Sequence, residues 1–179
     1  MDKCIERVIL SHEEIVEKAK KIGEEITREY NGKNPVLIGL LKGCIPFMAE
    51  LMKHIKCDIE IDFMDVSSYR GTISTGVVTI NKDIETSIKN RDVILVEDII
   101  DSGLTIQEVV NILDTRGAAS IEIATLLSKP KSRSVYCKEP KWIGLEINPE
   151  FVVGFGLDYD ERFRNLDYIG ILKEELYKK

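Results

Sequence analysis

Histidine, cysteine and tryptophan are scarce in this chain of 179 residues, and each shortage removes a class of chemistry. The two histidines, His12 and His54, stand far apart, and Cys4, Cys44, Cys57 and Cys137 form no C-x-x-C pair, so zinc-ligand spacing is absent and reduced thiols are expected. Long apolar runs are missing too. The longest, near Val36, is broken at Lys42, and Met1-Asp2-Lys3-Cys4-Ile5-Glu6-Arg7 has no apolar signal core, so a cytoplasmic setting without a membrane partner is expected. No block of five like charges occurs, and a net charge of −6 with both signs interspersed argues against nucleic acid as a partner. Internal repeats, low-complexity tracts and linkers are absent. A chain of 179 residues is the size of a single domain able to bury about 70% of its unfolded surface.

The most informative stretch is Val93-Ile94-Leu95-Val96-Glu97-Asp98-Ile99-Ile100-Asp101-Ser102-Gly103-Leu104-Thr105. An apolar strand runs into acidic residues and then into a small-residue turn that opens a helix. In an open parallel sheet, ligands bind beyond the carboxyl ends of the strands, and a helix N-terminus offers unpaired backbone N–H groups to a phosphate. Asp101, Ser102, Gly103, Leu104 and Thr105 supply such amides, with hydroxyls from Ser102 and Thr105. The lysine of a Walker-type loop is lacking. Glu97, Asp98 and Asp101 instead crowd the place with negative charge, which repels a phosphate unless a hard cation or sugar hydroxyls engage the carboxylates. The residues therefore suggest a Mg²⁺-dependent site for a phosphorylated sugar. The rival readings are solvated charges ending a strand for Glu97 and Asp98, and a helix N-cap or turn-forming residue for Asp101.

Around this stretch the pattern alternates. Ser11-His12-Glu13-Glu14 has the form of a capping box, and Ile15, Ala19, Ile22 and Ile26 follow at helical spacing to about Tyr30. Val36 to Leu41 is expected to be a buried strand and Pro46 to Ile55 a helix. Ile59, Ile61 and Phe63 alternate with Asp58, Glu60 and Asp62 as a half-exposed strand. Val66 to Gly76 is polar and aperiodic, as a lid would be. After the strand Val93 to Val96, Ile106, Val109, Val110 and Leu113 mark a helix to about Arg116-Gly117. Ile121 to Leu127 returns as a strand, broken by Lys129-Pro130, and Trp142 to Ile147 and Phe151 to Leu157 give two more before a segment around Ile169 to Leu172. Such alternation predicts an α/β fold with a parallel sheet.

Val93 to Thr105 resembles the phosphoribosyl-pyrophosphate motif of type I phosphoribosyltransferases, in the form typical of the hypoxanthine-guanine enzymes. Further matches follow in order along nearly the whole chain. Leu41-Lys42-Gly43 is similar to the family's first loop, Ser68-Tyr69 to its mobile active-site loop and Lys129-Pro130 to its base-recognition lysine. Phe151-Val152-Val153-Gly154 through Leu157-Asp158-Tyr159 is similar to its base-stacking segment, and Arg164 falls at its pyrophosphate-contacting arginine. One departure is Arg70, which follows Tyr69 where many relatives carry small or polar residues.

The resemblance implies a twisted, mainly parallel sheet flanked by helices. The chain would form one domain over 1–179, with a core of about 30–145 and a small hood from about 1–12 and 146–179. It also implies purine salvage, in which a 5-phosphoribosyl group passes from 5-phosphoribosyl 1-diphosphate to N9 of hypoxanthine or guanine. By that resemblance Glu97 and Asp98 engage the sugar and one Mg²⁺, the turn Asp101 to Thr105 holds the 5-phosphate, and Asp101 is the general acid/base near purine N7. Lys42, Gly43, Ser68, Tyr69 and Arg164 attend the pyrophosphate. Lys129 donates to the 6-oxo group, Phe151 stacks on the ring, Val152 bonds the base edge through its backbone, and Asp158 holds a second Mg²⁺. Relatives hold the peptide bond equivalent to Leu41-Lys42 in the cis form, a choice the sequence does not display. A homodimer or homotetramer is the expected assembly. Two other readings stay open at this level, an RNA-binding attenuator of pyrimidine genes built on the same motif and a pyrimidine or xanthine transferase.

Overall fold

The fold is that of a computed structural model in which residues 2–68 and 78–178 are described. Its central element is a six-stranded sheet. β2 (Val36–Leu40) lies between β3 (Glu60–Ser68) and β5 (Asp92–Ile100), and β6 (Ser120–Ser128) and β7 (Trp142–Glu146) extend the sheet beyond β5. These five strands run parallel, while β4 (Val78–Lys82) pairs antiparallel with β3 at the edge. The parallel sheet expected from the alternation is present, with one antiparallel strand added at its edge.

Both faces of the sheet are covered, so its central strands are apolar on both sides. Leu37, Ile94 and Val96 pack with Ile15, Ala19, Ile22 and Ile26 of α1 (His12–Tyr30) and with Phe47, Met48 and Leu51 of α2 (Ile45–His54). Val36, Ile38, Val93 and Leu95 point the other way, onto Ile106, Val109 and Leu113 of α3 (Leu104–Thr115). The start of α1 is the capping box read from the sequence: the Glu14 N–H donates to Ser11 Oγ at 3.3 Å and the Ser11 N–H donates to Glu14 Oε2 at 2.8 Å.

A second, three-stranded antiparallel sheet joins the two ends of the chain. β9 (Ile169–Leu172) is its middle strand, with β1 (Ile5–Leu10) on one side and the two-residue β8 (Val152–Val153) on the other. It has its own apolar cluster of Ile5, Val153, Phe163, Leu166 and Leu172.

Three expectations need correction. The predicted strand Phe151 to Leu157 is confined to Val152–Val153, because Gly154, Phe155 and Gly156 all have positive φ and turn the chain back. Val66 to Ser68, assigned to a loop, are the end of β3, where Ser68 pairs with Val78. The rest of the proposed lid, including Tyr69 and Arg70, lies outside the described residues. The faces of β3 are also exchanged near its start. Asp62 is buried and Ile61 is 46% exposed, since Asp62 accepts from the Phe63, Glu85 and Thr86 N–H groups at 2.7, 2.7 and 2.8 Å. A carboxylate with three amide donors can be buried where the alternation placed an apolar face.

Candidate active site

The chain leaves β2 toward β3 and leaves β5 toward β6, so strand order reverses between β2 and β5, where ligands of open α/β sheets bind. Two loops emerge there side by side. After β2 comes Leu41-Lys42-Gly43, and the Leu41–Lys42 peptide is cis. Gly43 lies so close to β5 that a β-carbon on it would sit 1.7 Å from Asp98 Oδ2. Any larger residue there would have to push that carboxylate aside.

β5 does not stop at Val96 but continues through Glu97 and Asp98 to Ile100. Glu97 is 9% exposed, which removes the reading of this residue as a solvated strand-end charge, and Asp98 beside it is partly buried. Burial pushes the Glu97 carboxyl well above the ordinary range, and the adjacent Asp98 charge pushes it further. Burial also raises Asp98, opposed by the Ile99 N–H, which donates to Oδ1 at 2.7 Å, and by the charge of Arg164. Two adjacent carboxylates with raised pKa, one buried and one partly buried, form a place suited to a cation.

The turn beyond β5 opens α3. Gly103, with φ of +85°, occupies the N-cap position, so Asp101 is a turn residue and not the cap. Ser102 Oγ accepts from the Leu104 N–H at 3.4 Å. Glu97, Asp101, Ser102, Gly103 and Thr105 line a small cavity of about 150 Å³, while Leu104 stands outside its lining as the first residue of the helix.

β6 ends beside this turn, and the Lys129 N–H donates to the Ile100 carbonyl at 2.9 Å. The buried Lys129 ammonium meets Asp101 Oδ2 at 2.7 Å, joining the expected base reader to the expected acid/base residue. Both, with Phe151, line a second cavity of about 500 Å³. Sequence reasoning passed over Arg133. Its guanidinium donates to the Ile100 and Asp101 carbonyls at 2.6 Å each and to Ser128 Oγ at 3.0 Å, tying the ends of β5 and β6 together. No local period marks such a residue among the polar side chains after Pro130.

Lys42, Asp158 and Arg164 also converge, through Glu161, another residue the sequence did not single out. Glu161 Oε2 lies 3.2 Å from Lys42 Nζ and Oε1 lies 3.2 Å from Arg164 Nη2, and Arg164 then Lys42 hold this carboxyl below its ordinary range. Arg164 further pairs with Asp158 at 2.9 Å and donates to the Gly156 carbonyl at 2.7 Å, while its buried Nε has no hydrogen-bond partner. Val152 pairs with Ile171 in the small sheet, and Ser68 ends β3.

The comparisons agree with this geometry. A family model for the phosphoribosyl transferase domain matches residues 8–160. The hypoxanthine-guanine phosphoribosyltransferase of Lactococcus lactis is 53% identical over 180 aligned residues, which cover 100% of this chain and 97% of that protein. The enzyme of that name from Streptococcus pneumoniae is 54% identical over 178, covering 99% and 98%. The crystal structure of a hypoxanthine phosphoribosyltransferase from Staphylococcus aureus superposes with a TM-score of 0.96 at 47% identity, covering 100% of this chain and 97% of that one. A reversed strand order with an acidic pair at its centre, a small-residue turn behind it and full-length likeness to these enzymes lead to one family, and the chain belongs to the phosphoribosyltransferases, in their hypoxanthine-guanine branch.

Proposed function

We propose that this chain carries out purine salvage, transferring the 5-phosphoribosyl group of 5-phosphoribosyl 1-diphosphate to N9 of hypoxanthine or guanine and releasing diphosphate with IMP or GMP. The observation that carries this reading is the Lys129–Asp101 pair at 2.7 Å, set on a cavity with Phe151, with Asp101 also lining the small cavity that Glu97 borders. An ammonium has three donors and no acceptor, so Lys129 suits a 6-oxo purine and disfavours adenine, whose exocyclic group is itself a donor. Asp101 would take or stabilise the proton that the purine loses as N9 attacks C1 of the sugar. Phe151 would stack on the ring and the Val152 backbone would bond its edge.

Glu97 and Asp98 would hold the ribose hydroxyls, and the amides and hydroxyls of Asp101 to Thr105 the 5-phosphate. Lys42, Gly43, Ser68, Tyr69 and Arg164 would take the diphosphate. Glu97 with Asp98, and Asp158 separately, are the residues that would hold Mg²⁺, and the adjacent acidic pair fits a cation on charge. When bound, Mg²⁺ neutralises the diphosphate and lowers the barrier to its departure. The three-stranded sheet would serve as a hood over the carboxyl edge of the large sheet. A cytoplasmic setting fits four free cysteines, and a homo-oligomer fits the exposed Ile45 and Met52 on one face of α2, at 48% and 38% exposure.

The test is product formation from 5-phosphoribosyl 1-diphosphate with a panel of free bases. Hypoxanthine and guanine should be used, adenine and uracil should not, and excess chelator should stop the reaction until Mg²⁺ is restored. Equal use of adenine, or full activity in chelator, would sink the assignment.

A further inference from the structure

The last residues of the chain have no role in the reaction as derived so far, yet they reach the base cavity. Tyr177 follows the short 3₁₀ turn Glu174–Leu176, and its ring stacks on that of Phe151 with centroids 4.8 Å apart and planes inclined by 24°. Tyr159 meets the same Phe151 ring edge-on, at 5.6 Å and 88°. The tail is tied down where it makes this contact. Tyr159 Oη donates to the Leu176 carbonyl at 3.0 Å, the Leu172 N–H donates to the Phe151 carbonyl at 2.9 Å and the Lys173 N–H to the Cys4 carbonyl at 3.0 Å. Tyr177 lines the same cavity as Lys129, Asp101 and Phe151.

A phenylalanine ring has broad freedom about its terminal torsion, so it stacks well on a ligand only when neighbours set its plane. Tyr159 and Tyr177 meet Phe151 in the two arrangements that aromatic pairs favour, and together they define that plane. Rings 4.8 Å apart leave no space for a third between them, so a purine that stacks on Phe151 does so on the side away from Tyr177. We infer that Tyr177 is a positioning residue of the base site, holding the Phe151 ring in the plane that receives the purine. Its effect is specific to the base and does not extend to the sugar diphosphate. This inference rests on Phe151 being the purine-stacking residue.

Steady-state kinetics on the full chain, with both substrates varied, separate the outcomes. Turnover by the unaltered protein comes first, and failure there counts against the proposed function and not against Tyr177. Given turnover, Tyr177→Ala should raise KM for hypoxanthine and guanine about three- to ten-fold, the worth of an aromatic pair. KM for 5-phosphoribosyl 1-diphosphate should stay within about two-fold, and Tyr177→Phe should restore the base KM because the ring and not the hydroxyl makes the stack. An unchanged base KM in Tyr177→Ala overturns the inference. So does a lowered one, since Tyr177 would then be competing with the purine. Parallel loss for both substrates together with a lower Tm would mark a merely structural tail, and failure of Tyr177→Phe to rescue would remove the stacking argument.

Discussion

Lys129 and Asp101 define what a single residue contributes here, because the two side chains form one ion pair at the base cavity. The buried ammonium has the Asp101 carboxylate as its partner at 2.7 Å, and with three donors it can add the 6-oxo group of a purine without giving that partner up. Asp101→Asn should leave the fold and sugar-diphosphate binding intact and lower turnover by about 10²–10⁴, the usual range for an acid/base group. Near-normal kcat would take Asp101 out of the mechanism. Lys129→Ala should remove most activity on 6-oxo purines and narrow their advantage over adenine, which competition between bases would report. Arg133 acts one step back. It grips the carbonyls of Ile100 and Asp101, so Arg133→Ala should misplace Asp101 and cost about 10–10² in kcat, and lysine should recover only part because it lacks the planar fork. Unaltered kcat in Arg133→Ala would show that the turn holds its shape unaided. Asp101, Lys129 and Phe151 are legible in sequence because they sit in contiguous motifs at strand ends. Arg133 and Glu161 are not, since Arg133 reaches 33 and 32 residues back to the Ile100 and Asp101 carbonyls, Glu161 reaches 119 residues back to Lys42, and Arg164 beside it is one arginine among several.

Elements read well where one face is buried and badly where a polar group takes the buried place. α1 shows its capping box and its apolar stripe openly, and β2 and β5 show the continuous apolar runs of strands covered on both sides. β3 misleads because Asp62 interrupts the alternation with a carboxylate that is buried for structural reasons. Burial alone would raise the Asp62 pKa, but the Thr86, Phe63 and Glu85 N–H groups outweigh it and the carboxyl is held below the ordinary value. A lowered folded pKa stabilises the fold above the unfolded value and ceases to do so as pH falls through the folded one. Asp62→Ala leaves these amides without an acceptor and should cost about 2–4 kcal/mol, read in urea unfolding at pH 7. The gap between Asp62→Ala and the unaltered protein should close below about pH 4. A constant gap across that range would mean that Asp62 acts through packing and not through its charge.

Over the whole molecule, the acidic pair at the centre of the large sheet sets stability against function. Glu97 is buried and the adjacent Asp98 partly so, and desolvation together with mutual repulsion makes their ionised forms costly without a cation. Both folded pKa values lie above the ordinary carboxylate range, so between the ordinary and the raised values the folded state binds more protons than the unfolded one. Stability from these groups is therefore complete below the ordinary value and falls as pH rises through the raised one, the reverse of Asp62. Neutralising the pair with Glu97→Gln and Asp98→Asn should raise the ligand-free Tm near neutral pH and flatten that decline. The same change should abolish the stabilisation that substrate brings. In the unaltered protein, 5-phosphoribosyl 1-diphosphate with Mg²⁺ at about 100 times its Kd should add ~2.7 kcal/mol, a rise of roughly 5–10 °C in Tm for a chain of this size. Thermal unfolding at pH 5 to 8, with and without ligand and chelator, measures both effects in one series. A double variant that is no more stable than the parent without ligand would show that the pair is already neutralised within the fold. One that still gains the full ligand shift would show that sugar diphosphate and cation are held elsewhere.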